Sequence, residues 1–124
     1  MKTLPKHARI SNRYILCRIE CAKTVAYEDF SKEFRATIRK LVGIFGLAKA
    51  QIRIIKNQYS YPYAVVQTKP QSVKLCQAAC AYMDSIQKKK VRVQTIITSG
   101  HIQKIKESVE KNGHANNKPS NDGI

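Results

Sequence analysis

From Arg13 to Cys21 the chain alternates, with Ile15, Cys17, Ile19 and Cys21 on one side and Tyr14, Leu16, Arg18 and Glu20 on the other. A period of two predicts a strand. The period then changes. Over Tyr27 to Val42, a step of 100° per residue gathers Tyr27, Phe30, Phe34, Ile38, Leu41 and Phe45 into about 80° of arc, the core stripe of a helix. Glu28, Asp29 and Glu33 stand early in it and Arg35, Arg39 and Lys40 late, which suits the helix dipole. Gly43 and Gly46 are expected to end it.

Leu47 to Lys56 is predicted to be a strand, Asn57 to Ser60 a polar turn, and Tyr61 to Thr68 a third segment of strand, so the two strands should form a hairpin. Pro62 near the start of the latter is tolerable at an edge or in a strand's first residues. Pro70 to Ile86 predicts a second helix with Ser72 as a possible N-cap. Its apolar arc, from Val73 and Leu75 through Cys76, Ala79, Cys80, Tyr82 and Met83 to Ile86, spans about 180° and implies burial against more than a sheet. Val91 to Thr98 reads as the fourth strand, with Val91, Val93, Thr95 and Ile97 on one face. After the Ser99-Gly100 break, Ile102, Ile105 and Val109 mark a short third helix.

This order, β-α-β-β-α-β plus a C-terminal helix, predicts an α+β, ferredoxin-like sandwich of the kind found in RNA-recognition domains, with an antiparallel sheet. The expected divisions are a basic N-terminal arm over residues 1–12, one domain over 13–111, and a disordered tail over 112–124 on composition. Tyr14 and Leu16, and Ile55 opposite Ile52 and Ile54, put apolar groups on both faces of the sheet. Such a sheet needs a second cover, from the third helix and from a protein partner.

Charge changes the picture. The 124 residues carry a net charge of +15. Residues 1–23 hold six basic side chains against one acid, residues 24–60 seven against three, and residues 61–98 six against one, whereas 99–124 are nearly balanced at four against three. The excess therefore belongs to the part expected to fold. A basic body calls for a polyanion, and a pI near 9.9 fits a nucleic-acid binder. No run of about 18 apolar residues and no basic amphipathic helix with a membrane-facing aromatic edge supports a membrane partner. With no signal-peptide pattern, a soluble cytoplasmic protein, or a nuclear one, is expected.

Cys17, Cys21, Cys76 and Cys80 invite a zinc reading. In a strand, Cys17 and Cys21 would stand about 13 Å apart, too far to share a metal at ~2.3 Å. Cys76 and Cys80, one helical turn apart, are only two ligands. The cysteines are expected to be reduced and to act as small apolar groups.

Candidate contacts to RNA come from the basic residues. Lys32, Arg35 and Arg39 fall within about 60° of helical arc, away from the apolar stripe, as a phosphate-contacting ridge. The competing reading is a solvated face with Glu28 paired to Lys32 one turn on. Lys88, Lys89 and Lys90, continuing to Arg92, form a dense cluster beside a strand end. Lys49, Arg53 and Lys56 lie along the second strand, and Arg13 and Arg18 along the first. Tyr61-Pro62-Tyr63 lies where RNA-recognition domains carry stacking aromatics, but the basic residue and glycines of that pattern are missing. No catalytic or metal-binding constellation is expected. Three of the eight acids cluster at one helix start and three lie at or beyond the last helix, and His7, His101 and His114 sit in the arm, at a break and in the tail.

Arg13-Tyr14-Ile15-Leu16, Gly43-Ile44-Phe45-Gly46-Leu47-Ala48 with its basic strand, Ser72-Val73, Val91-Arg92-Val93 and Ser99-Gly100 follow one another at spacings that cover about residues 12 to 110. In this ordered set the chain resembles the archaeal ribonuclease P protein component 2 family, which has eukaryotic relatives in ribonuclease P and RNase MRP. Cys17 and Cys76 depart from it, standing where bulkier apolar residues would be expected. The resemblance implies a protein subunit of the ribonucleoprotein that removes the 5′ leader of precursor tRNA, with the active site and its Mg ions carried by the RNA. It also implies ribonuclease P protein component 3, a TIM-barrel-like subunit, as partner, and a self-dimer at the centre of a heterotetramer. The location would be cytoplasmic, or nucleolar in a eukaryote. Two other readings remain open at this point. One is a generic RNA-recognition or ribosomal protein that stacks bases on Tyr14 and Tyr63. The other is a protein-interaction scaffold whose charge is incidental.

Overall fold

The alternating first segment is β1 (Arg13–Cys21), the central strand of the sheet. The computed structural model describes residues 12–116. The helix that follows, α1 (Tyr27–Ala50), is longer than the pattern implies and is broken at Gly43, whose φ of 79° and ψ of 177° are not helical. Beyond it come β2 (Arg53–Ile54), β3 (Tyr63–Thr68), α2 (Val73–Tyr82), β4 (Ser85–Ile86), β5 (Lys89–Ser99) and α3 (Ile102–Asn116). The five strands lie in the order β2-β3-β1-β5-β4, with every pairing antiparallel. Without the short β4 this is the expected ferredoxin-like arrangement.

The two apolar faces of β1 organise two cores. Ile15, Cys17 and Ile19 join Phe30, Phe34 and Ile38 of α1 and Cys76, Ala79 and Cys80 of α2 on one side of the sheet. There Phe30 stacks on Phe34 at 5.8 Å between ring centres and meets Tyr59 at 6.2 Å. On the other side Leu16, Tyr63 and Val65 pack with Ile105 of α3, which is wholly buried. The third helix is thus the second cover that the doubly apolar sheet requires.

Several boundaries differ from the pattern, each for a local reason. Residues 44–50 are helical, not strand, because Leu47 and Ala50 stand one helical turn apart and both turn inward, Ala50 being buried. Gln51 ends this segment in the left-handed conformation, and Thr68 Oγ1 donates to Ala50 O at 3.0 Å. The strand expected over 47–56 therefore shrinks to Arg53–Ile54, although its antiparallel pairing with β3 stands. β3 begins after Pro62, so the proline interrupts no strand.

Helix α2 stops at Tyr82, and Met83 is already extended. The chain then makes a two-residue hairpin turn at Gln87 and Lys88, both with positive φ, so Ser85–Ile86 form a fifth strand where helix was expected. Ser72 occupies the N-cap position of α2 without a side-chain capping bond. The apolar arc of α2 is narrower than its sequence suggests, since Tyr82 is exposed. In β5 a register shift opposite Leu16 and Cys17 inserts Ile96 as an extra residue. Ile97 therefore joins Ile96 on the α3 side instead of following Val91 and Val93. Helix α3 continues to Asn116, past the start of the expected tail. The rest of that tail and the basic arm up to residue 11 lie outside the described residues.

Candidate nucleic-acid interface

The basic residues fall into separate groups. On α1, Lys32 and Arg39 are exposed and Arg35 is half-buried, on a face opposite Phe30, Phe34 and Ile38. Lys88, Lys89, Lys90 and Arg92 are all exposed at the β4–β5 hairpin. Positive φ at Gln87 (51°) and Lys88 (69°) makes this turn tight, a conformation that few side chains other than Asn and Asp adopt readily. Gln87 Nε2 donates to Asp29 Oδ1 at 2.9 Å and ties the hairpin to the start of α1. The small cleft between them is lined by Asp29, Lys32, Glu33, Ala36, Ile86 and Gln87. Lys32 therefore borders the turn that precedes the hairpin lysines, with Asp29 and Glu33 in the same cleft.

The remaining candidates lie elsewhere. Lys49 lies in the last turn of α1 and not on a strand, while Arg53 is in β2 and Lys56 just past it, at the far side of the sheet from β4. Lys56 Nζ stands 4.0 Å from Glu28 Oε2 and 5.7 Å from the centre of the Tyr27 ring. Glu28 is thus paired with Lys56, not with Lys32, in a contact exposed enough to contribute little to stability. Arg18 lies half-buried on the α3 side of β1, its Nη1 3.7 Å from Glu20 Oε2. Its Nε is buried without a partner among the described residues. Arg13 Nη1 donates to Asn12 O at 3.3 Å and lies 3.4 Å from where a side chain on Gly100 would begin, so it packs against the turn before α3.

Five of the six tyrosines serve the fold, and Tyr82 is exposed. Tyr63 is only 4% exposed beneath α3, and Tyr14 packs into the same core. Tyr27 Oη donates to Ile54 O at 2.9 Å, Tyr59 Oη to Val25 O, and Tyr61 Oη to Cys21 O at 3.3 Å. Burial, with smaller contributions from Tyr61 and Asp29, pushes the Tyr59 phenol up to about 12. A base-stacking platform on this sheet face has no open aromatic surface at Tyr63.

Cys17, Cys76 and Cys80 are buried free thiols, and Cys21 is half-buried. Cys17 Sγ lies 3.7 Å from Cys80 Sγ. That contact and burial hold the Cys17 thiol well above its ordinary range. Burial raises Cys76 to about 11. Among the described residues no three His, Cys, Asp or Glu side chains come together as a metal site. No helix there is long and apolar enough to cross a membrane.

Sequence reasoning missed an apolar knuckle. Phe45, expected in the core, is 88% exposed, Ile44 is 62% exposed, and Leu41 and Val42 are exposed as well. The stripe ends at Ile38, since Leu41, still before the break, is exposed, and the glycine that breaks α1 resets the helical phase for Phe45 beyond it. Gly43 was the available signal, because a 100° step cannot be carried across a non-helical residue.

The model of the Rpp14/Pop5 family of ribonuclease P proteins matches residues 13–110 of this chain. The chain belongs to that family. Among solved structures it is similar to a chain in the cryo-EM structure of yeast ribonuclease MRP, at 11% identity and a TM-score of 0.64, covering 89% of this chain and 99% of that one. At that identity the likeness concerns the fold. A comparison with curated proteins finds no match. The Rpp14/Pop5 match runs from the first residue of β1 into α3, so it takes in both cores and the basic residues of α1 and of the hairpin.

Proposed function

We propose that this chain is a protein subunit of ribonuclease P, or of the related RNase MRP, and supports the catalytic RNA in removing the 5′ leader of precursor tRNA. Membership of the Rpp14/Pop5 family over residues 13–110 carries this reading. The protein's contribution is electrostatic and architectural. Lys32, Arg35 and Arg39 of α1, with Lys88, Lys89 and Lys90 beside them, neutralise phosphates and hold RNA segments that would otherwise repel. Cleavage itself belongs to the RNA and its Mg ions, while the described protein residues offer a cationic surface.

Protein partners complete the assembly. We assign ribonuclease P protein component 3 and a second copy of this chain to that role, in the cytoplasm or, in a eukaryote, the nucleolus. The exposed apolar knuckle at Leu41, Val42, Ile44 and Phe45 supports protein contacts alongside RNA contacts.

The test is reconstitution with the catalytic RNA and component 3, assayed for leader removal. Replacing Lys32, Arg35 and Arg39 together by Ala should lower the cleavage rate at limiting protein by about tenfold or more, as expected for loss of several phosphate contacts. An unchanged rate would remove α1 from the RNA interface.

A further inference from the structure

The core beneath α3 takes Leu16 from β1 and Ile96 and Ile97 from β5. Past these residues the same face of the sheet turns polar. Alternation along β1 sets Arg18 and Glu20 on the side of Leu16, while Ile19 joins the core of α1 and α2. Arg18 stands opposite Gln94, and Glu20 opposite Arg92, in β5. Lys90, two residues before Arg92, stands opposite Ser85 of β4. Val91 and Val93 between them turn to the other core. Lys90, Arg92 and Gln94 are exposed, and the side chains of Arg18 and Glu20 are 34% and 39% exposed.

Three cations and one acid therefore share the uncovered end of this face. Lys90 and Arg92 are about 7 Å apart along the strand. Arg18 is the diagonal neighbour of Arg92, at about 7–8 Å. Successive phosphates of an extended RNA strand recur at a similar interval, whereas the two backbones of a duplex are held apart across a wide groove. Arg18 also has donors to spare. Its Nε is buried without a partner among the described residues, and its contact with Glu20 is a loose 3.7 Å. Tyr63, opposite Arg18 on β3, is buried and offers bases no stacking surface.

We propose that this open end of the sheet is a track for an unpaired RNA segment, gripped by its backbone without regard to sequence. Lys90, Arg92 and Arg18 take phosphates at successive steps, and Gln94 donates to a sugar or phosphate oxygen beside them. Glu20, between Arg18 and Arg92, offsets their mutual repulsion before RNA arrives. RNA-recognition domains stack bases on their sheet, and here charge takes the place of stacking. This inference rests on the RNA-binding role proposed above and adds a second surface to that of α1.

Binding of the full chain to a fluorescent uridine dodecamer is measured by anisotropy over a salt series, beside a cytidine dodecamer and an RNA duplex of the same length. Lys90→Gln with Arg92→Gln, checked for an unchanged melting temperature, should weaken the uridine dodecamer by about tenfold or more. Its salt slope should flatten by about 1.4, two contacts at about 0.7 each. The duplex should lose less than about threefold, having no track to leave. Lys49→Gln with Arg53→Gln removes the same charge at the far side of the sheet and should weaken the dodecamer less than about threefold, since salt screens distant charges. The cytidine dodecamer should bind within about twofold of the uridine one, because no base is read. A 4-thiouridine in the dodecamer should crosslink between Lys90 and Gln94 of β5, as located by mass spectrometry.

Equal losses from the two paired replacements, a duplex weakened as much as the single strand, a marked preference between the two dodecamers, or crosslinks confined to α1 would each overturn the proposal. If that happens while the Lys32, Arg35 and Arg39 replacement still impairs leader removal, RNA binds elsewhere and only the track is refuted. If both sets of replacements are without effect, the RNA-binding role falls with it. A Lys90 and Arg92 variant that keeps its RNA affinity but no longer binds component 3 would make this face a protein contact, which also overturns the proposal.

Discussion

Cys76 shows how one buried thiol ties stability to pH. Its ionisation lies at about 11 in the folded chain against an ordinary 9.0, because burial disfavours the thiolate. Below pH 9 both folded and unfolded chains keep the proton, and stability is unaffected. Above it the unfolded chain releases the proton while the folded chain retains it, so stability falls as pH rises from about 9 to about 11. Urea midpoints measured across that window should decline, and Cys76→Val should decline less steeply over the same range. Parallel slopes for the two proteins would show that Cys76 does not contribute. The core role of the cysteines was legible beforehand, since strand spacing alone separates Cys17 from Cys21. The 3.7 Å approach of Cys17 to Cys80 was not, because they belong to different elements and only packing brings them together.

At the scale of elements, α1 illustrates what periodicity reads well and where it stops. Its first part follows from the Phe30, Phe34, Ile38 spacing. The kink does not, since Leu47 to Lys56 fits both an alternating strand and a short helix, and the choice is made by burial of Ala50 and the bond from Thr68. Gly43 is the hinge of that choice. A side chain there would meet nothing within 4 Å, so its requirement is conformational and not steric. Gly46 is the reverse case, for an added Cβ would lie 2.5 Å from Val42 Cβ. Gly43→Ala should cost about 1–3 kcal/mol, the range for a residue forced into a glycine-only region. Chemical denaturation measures it directly, and a loss below about 0.5 kcal/mol, the usual scatter for neutral surface changes, would mean that α1 does not need the break. The same hinge turns Phe45 out of the core and sets it beside Ile44, while Leu41 and Val42 are exposed ahead of it.

For the whole molecule, the decisive step is how the sheet order distributes charge. Segment counts place the excess in the folded body, but they cannot say which basic residues share a surface. That depends on β2 and β4 taking opposite edges of the sheet. The hairpin that carries Lys88, Lys89 and Lys90 consequently meets the start of α1 through Gln87, while Lys49, Arg53 and Lys56 lie toward the opposite edge and Lys56 already has Glu28 beside it. RNA binding should therefore be one-sided. Each phosphate neutralised steepens the salt dependence of log affinity by about 0.7 to 0.9. Replacing Lys88, Lys89 and Lys90 by Ala should flatten the slope for the catalytic RNA by about 2 to 3, if each lysine holds one phosphate. Replacing Lys49, Arg53 and Lys56 should change it by less than about 1, the value of a single contact. Filter binding over a salt series distinguishes the two variants. Equal flattening would mean that RNA wraps both edges of the sheet, and the surface joining α1 to the hairpin would lose its privileged place.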